Sequence, residues 1–245
     1  MEIIYIILIL SVLAPVIGSL IGVLRKPSHL MMYNMLAFAA GVMLAISFLR
    51  LIPESIRLSS IWLCCFGIIV GALIMYAVDK LIPHLHPELV SQEQGCHLKR
   101  TAVYLLIGIF LHNFPEGIAI AIGGVSSAKL SLTIAIAIAI HDIPEGICTS
   151  APYYYCTKKR LKSFLLSSLT AIPTAGGFLL AHFLFKGMSY SILGMIMAAT
   201  AGLMIYISGD ELIPTSCHKT LKHWSHSTIF SLILGVISVV LLGLI

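Results

Sequence analysis

IFLHNFPEGIAIAI (residues 109–122) and AIAIHDIPEGICTS (137–150) are the two stretches that decide how this chain folds. Each places a histidine, an amide or acid, a proline and a glutamate inside a run that is otherwise apolar. Polar groups cost free energy in an apolar setting unless something compensates them. The repetition of this pattern therefore indicates that the chain is built around these groups.

The composition outside the motifs indicates a membrane protein. The chain has 245 residues, of which 59% are hydrophobic and 10% charged, and its mean hydropathy is +1.03. Soluble domains carry about 25% charged residues. Apolar runs of about twenty residues recur along the sequence, as in polytopic helical proteins of the lipid bilayer. We therefore predict an all-α fold with one transmembrane domain over residues 1–245. The net charge of +5 is spread among loops, so we expect no nucleic-acid partner.

Eight transmembrane spans follow from the apolar runs. They are predicted near 3–24, 32–53, 60–83, 101–125, 129–152, 162–185, 188–214 and 227–245. The first run lacks a basic start and is followed by Arg25 and Lys26, so we interpret it as a retained helix.

The basic residues of the loops predict the direction of the spans. One side holds eleven of them: Arg25, Lys26, Lys80, Lys99, Arg100, Lys158, Lys159, Arg160, Lys162, Lys219 and Lys222. The other side holds four: Arg50, Arg57, Lys129 and Lys186. Eleven against four predicts that both termini lie outside and that the loop at about 84–100 is cytoplasmic. The expected location is the plasma (inner) membrane.

A second internal repeat lies in spans two and seven. AGVMLAISFLRLIP (40–53) and AGLMIYISGDELIP (201–214) share eight of fourteen residues. Spans five apart cross the bilayer in opposite directions, and repeats of inverted topology are typical of alternating-access transporters.

The two central motifs place their polar residues on shared helix faces. Residues four apart lie on one face of a helix, which pairs His112 with Glu116 and His141 with Glu145. Pro115 and Pro144 each remove a backbone donor. Gly117 and Gly146 follow and allow a close approach of neighbouring helices.

Charge decides what these motifs hold. Glu116, Asp142 and Glu145 put three carboxylates at mid-membrane, where an ionised group is expensive, and neither span carries Lys or Arg near its motif. Protons or a bound cation must neutralise them. Imidazole and carboxylate ligands suit Zn²⁺, with Fe²⁺, Mn²⁺ and Cd²⁺ as alternatives.

The motifs HNFPEG and HDIPEG in consecutive spans resemble those of the ZIP family of divalent-metal transporters, in its bacterial ZupT/GufA-like branch. The stretches AAGVMLA, DKLIPHLH and ELIP extend the resemblance over nearly the whole chain. It implies inverted three-helix repeats (spans 1–3 and 6–8) around helices 4 and 5, metal movement into the cytoplasm, and a homodimer. It also implies a set of six ligands: His112, Asn113, Glu116, His141, Asp142 and Glu145.

One stretch departs from the family pattern. Members of this branch carry Ala-Glu-Pro in the sixth helix, whereas this chain reads TAIPTAGG, with Ile172 at the position we assign to that glutamate. The hypothesis is that the second metal position is weakened and that one strong site remains, bridged by Glu116 and Glu145.

Acidic residues and histidines near the span ends suggest a path for the ion. Glu54 is a candidate contact at the outer mouth, although a solvated helix-end carboxylate fits it as well. Asp210 and Glu211 are candidate contacts on the exit side. Asp79, His84 and His86 are candidates at the inner mouth.

The predicted function is the movement of a divalent metal ion toward the cytoplasm, without enzymatic activity. One alternative is an intramembrane metal-dependent hydrolase, which needs an activated water and a general base; the HExxH arrangement of such enzymes is absent. Another alternative is a proton-linked carrier of a different solute, in which the carboxylates bind protons only.

Overall fold

The computed structural model describes residues 2–25, 27–81, 98–185, 187–217 and 226–244. These residues form eight helices long and apolar enough to cross a membrane, and they include no strand. The helices are α1 (Glu2–Leu24), α2 (His29–Leu58), α3 (Ile61–Leu81), α4 (Leu98–Ser126), α5 (Ala128–Thr157), α6 (Arg160–Leu184), α7 (Tyr190–Ser216) and α8 (His226–Leu244). The predicted all-α class with eight spans is confirmed, whereas His84 and His86 lie outside the described residues.

Serine side chains begin three of the helices. Ser28, Ser127 and Ser189 each accept a hydrogen bond from the backbone N–H three residues later, at the starts of α2, α5 and α7. A serine at this position satisfies one of the unpaired donors of the first turn. Connections of four, one and five residues can therefore end one span and start the next without leaving unpaired backbone donors.

The helices pack in two groups. α1, α4, α5 and α6 pack against one another, with α1 on α5 and α4 on α6, while α2 packs on α8 and α3 on α7. Exchanging α1–α3 with α6–α8, and α4 with α5, turns each of these pairs into another of them. These pairs are the ones that inverted three-helix repeats require, and the repeat itself stays a prediction.

Both copies of the span-two repeat contain a π-helical turn. Ser47–Leu51 in α2 and Ser208–Leu212 in α7 form i→i+5 turns, and a proline sits in the first turn of the α-helical segment that follows each. In each copy the serine hydroxyl donates to the carbonyl four residues earlier, at 2.8 Å. π-turns are rare and concentrate at functional sites, so both repeat copies carry the same unusual backbone.

α6 is interrupted in its middle. Its two segments, Arg160–Ser168 and Ala171–Leu184, are separated at Leu169 and Thr170. Pro173 has no N–H to donate to the carbonyl four residues before it; the Leu169 carbonyl instead accepts from the Ile172 N–H at 3.0 Å. The break therefore has a local cause, and it lies beside the HNFPEG motif of α4.

The two motif glycines allow the central helices to touch their neighbours. A Cβ on Gly117 would lie 2.0 Å from the Thr174 carbonyl oxygen of α6, and one on Gly146 would lie 2.5 Å from the Pro15 carbonyl oxygen of α1. Small residues of this kind let membrane helices approach at backbone distance. Each motif is thus backed directly by a neighbouring helix, as the sequence predicted.

A buried hydroxyl cluster ties α1, α5 and α6 together. The Ser167 hydroxyl lies 2.6 Å from the Ser19 hydroxyl and 2.6 Å from that of Thr149, and it donates to the Gly146 carbonyl at 3.3 Å. All three hydroxyl side chains are fully buried. Thr149 lies one helical turn after Glu145, so the cluster fixes α5 directly after its HDIPEG motif.

Candidate metal centre

The six predicted ligands lie at one buried place between α4 and α5. Each of them is at most 1% exposed. The residues are His112, Asn113 and Glu116 from α4 and His141, Asp142 and Glu145 from α5. Ionisable side chains buried this completely at membrane depth mark a functional site by default.

Histidine and glutamate pair across the two helices. His112 Nε2 lies 3.1 Å from Glu145 Oε2, and His141 Nε2 lies 2.9 Å from Glu116 Oε1. The i, i+4 spacing places each pair on one face, but the partner of each histidine is the glutamate of the other helix. The centre is therefore formed jointly by both helices.

The ring of His141 is oriented by the backbone of its own helix. Its Nδ1–H donates to the Ala137 carbonyl at 3.1 Å, which leaves Nε2 facing Glu116. A backbone hydrogen bond of this kind fixes the orientation of ligating histidines and makes the other nitrogen more basic. One proton must then lie between His141 Nε2 and Glu116 Oε1, at the place where a metal ion would replace it.

Three ligand atoms come close enough to share an ion. Oxygens of Glu116 and Asp142 and a nitrogen of His141 all lie within 4.8 Å of one another. Asp142 Oδ1 is 3.5 Å from His141 Nε2. Zinc sites with three protein ligands keep a fourth position open for water or another molecule, unlike closed structural sites with four protein ligands.

Six polar atoms of this centre have no hydrogen-bond partner within the described ranges. They are His112 Nδ1, Asn113 Oδ1, Glu116 Oε2, both carboxylate oxygens of Asp142, and Glu145 Oε1. Buried polar atoms are nearly always paired, so a group of orphans needs an explanation. Five of the six atoms are oxygens, which offer lone pairs to a cation, and His112 Nδ1 offers one when the Nε2–H donates to Glu145.

Asn113 differs from the other predicted ligands because its amide already has a structural partner. Asn113 Nδ2 donates to the Thr170 carbonyl at 2.8 Å, at the interruption of α6. Its Oδ1 is the atom left for an ion. Nothing in the sequence pattern alone distinguished this role from that of Asp142.

Ile172, which stands where the family resemblance expects a glutamate, lies in the second segment of α6, and the weakened second metal position stays a prediction. Its side chain is 56% exposed, whereas Thr170 and Thr174 on the same helix are buried. The sequence of α6 does lack Asp and Glu altogether, so no carboxylate from this helix joins the centre.

The predicted path residues have separate locations. Glu211 is buried and within electrostatic range of His112, whereas Asp210 is exposed. Asp79 is half-buried at the end of α3, and it shares Tyr206 as a neighbour with Asp210. Glu54 lies at the opposite end of the helices, where it is bound by Arg57, a contact that the sequence analysis missed.

Comparison with known proteins agrees with this geometry. The family described as "ZIP Zinc transporter" matches residues 84–243. The protein named zinc transporter ZupT of Enterobacter sp. (strain 638) is 36% identical over 218 residues, which cover 84% of this chain and 85% of that protein. The ZupT of Escherichia coli (strain K12 / DH10B) matches with the same identity and coverage.

This chain belongs to the ZIP zinc transporter family. Membership confirms the resemblance carried by HNFPEG and HDIPEG and identifies an integral membrane protein. The relatives are named as transporters and not as enzymes.

Proposed function

We propose that this ZIP protein carries divalent metal ions toward the cytoplasm, with Zn²⁺ as the main substrate and Fe²⁺, Mn²⁺ and Cd²⁺ as competitors. The observation that carries the proposal is the group of unpartnered lone-pair atoms between α4 and α5. The family and the named function of the relatives point in the same direction.

The geometry supports a division of the ligand roles. Glu116, His141 and Asp142 would hold the ion first, since their ligand atoms already lie together. His112 and Glu145 form the adjoining pair, and Asn113 contributes Oδ1. Because metal ligands must be deprotonated, binding would release the proton held between His141 and Glu116.

The direction of movement rests on the loop charges and on the two ends of the path. The bias of Lys and Arg supports termini outside and a cytoplasmic loop at about 84–100. The proposal places a single domain over residues 1–245 in the inner membrane. An ion would then arrive near Glu54 and leave past Glu211 and Asp210 toward Asp79. The homodimer implied by the resemblance is part of the same proposal.

Uptake of radioactive zinc into vesicles that contain the purified protein tests the proposal. The variant His112→Ala/Glu145→Ala should lose uptake, since it removes one cross-helix pair. His182→Ala is the matched control, because His182 stacks on Phe178 in α6 away from the centre and should keep the wild-type rate. Wild-type uptake by the double variant would contradict the site.

A competition series in the same vesicles ranks Zn²⁺, Fe²⁺, Mn²⁺ and Cd²⁺ as substrates.

Two further assays address the alternative functions. Cleavage of a lipid or peptide that is lost on adding a chelator would favour the hydrolase. Purified protein free of bound metal, with intact transport of another solute, would favour the proton-linked carrier.

A further inference from the structure

Glu54 is held by a two-point ion pair at the end of α2. Arg57 Nε donates to Glu54 Oε2 at 2.9 Å, and Arg57 Nη2 donates to Glu54 Oε1 at 2.5 Å. The carboxylate side chain is 13% exposed and the arginine side chain 61% exposed. The guanidinium therefore occupies both carboxylate oxygens and faces solvent itself.

Three helices that line the metal path meet at this ion pair. The Ser126 hydroxyl, at the end of α4, is close to the Glu54 carboxylate. Tyr190, the first residue of α7, is an electrostatic neighbour of Arg57. α4 carries half of the metal ligands and α7 carries Glu211, so the pair sits at the outer mouth of the proposed path.

The oxygens at this mouth could receive a cation if the arginine moved. The Ser126 hydroxyl oxygen is buried and forms no hydrogen bond of good geometry within the described ranges. A carboxylate with a nearby hydroxyl is an oxygen site suited to a divalent ion. While Arg57 holds the carboxylate, the pair has no net charge and its oxygens are occupied.

The ion pair is of a kind that a cation can displace. Its two-point geometry places it among the stronger surface ion pairs, but water screens the exposed guanidinium and the long side chain loses freedom on pairing. A divalent ion interacts with a carboxylate through twice the charge of a guanidinium. Because both contacts are noncovalent, a divalent ion can replace the guanidinium at Glu54 and be replaced by it in turn.

We propose that Arg57 is an intramolecular competitor for the substrate cation at Glu54, and thereby sets the apparent affinity of the outer mouth for metal. The inference rests on the proposed function and adds a receiving site to it, formed by Glu54 and Ser126 and closed by the guanidinium. Arg57 is a specificity-determining residue in this scheme, because a monovalent ion gains less than a divalent ion by displacing it.

Initial rates of zinc uptake against free zinc concentration test this inference in reconstituted vesicles. Arg57→Gln should lower KM by about two- to fivefold, the range that the free energy of exposed ion pairs corresponds to, and should leave the maximal rate in place. Glu54→Gln should raise KM. Arg57→Lys, whose ammonium cannot form the two-point contact, should lie between wild type and Arg57→Gln.

The double variant Glu54→Gln/Arg57→Gln separates competition from simple repulsion. If Arg57 acts by occupying Glu54, the double variant should have the KM of Glu54→Gln alone. Arg160→Gln is the matched control, because its guanidinium lies over the Tyr154 ring at the start of α6 and its loss should leave KM unchanged.

Two results would overturn the inference while leaving the transporter intact. An unchanged KM in Arg57→Gln would show that the ion pair does not compete with metal. A KM lowered equally with and without Glu54 would show that Arg57 repels cations through space only. Failure of the wild-type protein to take up any divalent ion would instead reject the proposed function.

Discussion

The HNFPEG copy in α4 and the HDIPEG copy in α5 have the same length and nearly the same letters, yet they form unequal half-sites. His141 is oriented by the Ala137 carbonyl, whereas the corresponding Nδ1 of His112 has no partner within the described residues. Both carboxylate oxygens of Asp142 lack a hydrogen-bond partner within the described residues, whereas the amide of Asn113 donates to the Thr170 carbonyl.

The difference shows how a duplicated motif can divide its work. The α5 copy supplies the oriented imidazole and the second acid of the tight three-atom group, to which α4 adds Glu116 alone. The remaining α4 residues serve the adjoining pair with Glu145 and the packing on α6. Identical spacing therefore fixes the faces of the residues but not their roles.

The two histidines should differ most. His141→Ala removes a member of the three-atom group, and His112→Ala removes a member of the looser pair. Loss of a residue that merely supports a ligand costs about 10–100-fold in metal affinity. We expect at least about 100-fold for His141→Ala and about 10-fold for His112→Ala, measured as zinc affinity of the purified protein by calorimetry. Equal losses, or the reverse order, would show that the two half-sites are equivalent.

Asp142 and Asn113 should separate affinity from stability. Asp142→Asn keeps the shape of the side chain and removes a charged ligand, so zinc affinity should fall by about 10-fold while stability is retained. Asn113→Ala leaves the Thr170 carbonyl unpaired and should cost about 1 kcal/mol of stability, with a smaller change in affinity. Zinc titration and thermal unfolding of both proteins in detergent check this difference. If the two residues had the same ligand role, both variants would lose zinc affinity to the same extent.

Ser167 should show the smallest effect. Its hydroxyl joins Thr149 of α5, whereas the equivalent position of α4, eight residues after its histidine, is Ile120. Ser167→Ala should cost about 0.6 kcal/mol, the average for hydrogen bonds between membrane helices. Ser168→Ala is the control, because that buried hydroxyl has no partner within the described ranges. Thermal midpoints that fall equally in both variants would argue against a special role for the cluster.

The features that depend on composition and periodicity were predictable from the sequence. Eight spans, the buried motifs, the shared faces of His and Glu, and the close approach at Gly117 and Gly146 all follow from local rules. Helix ends were less accurate at prolines. Span two was predicted to end at Pro53 but continues to Leu58, because that proline occupies the first turn of a new segment where no donor is needed.

The features that depend on contacts across the fold were not predictable. The interruption of α6 beside the exposed Ile172 combines a local cause, Pro173, with a hydrogen bond from Asn113 to the Thr170 carbonyl that joins distant parts of the chain. The cluster around Ser167 joins residues far apart in the chain, and serine is common in membrane helices. The binding of Glu54 by Arg57 also escaped notice, although i, i+3 pairs are expected on helices.

The two π-turns make α2 and α7 tolerant of a shortened chain at one place each. An i→i+5 turn holds one residue more than an i→i+4 turn. Deleting one residue within Ser47–Leu51 or Ser208–Leu212 would convert that turn to an ordinary α-helical one and leave the flanking faces in line. The same deletion in α3, which has no such turn, would rotate every later side chain by about 100°.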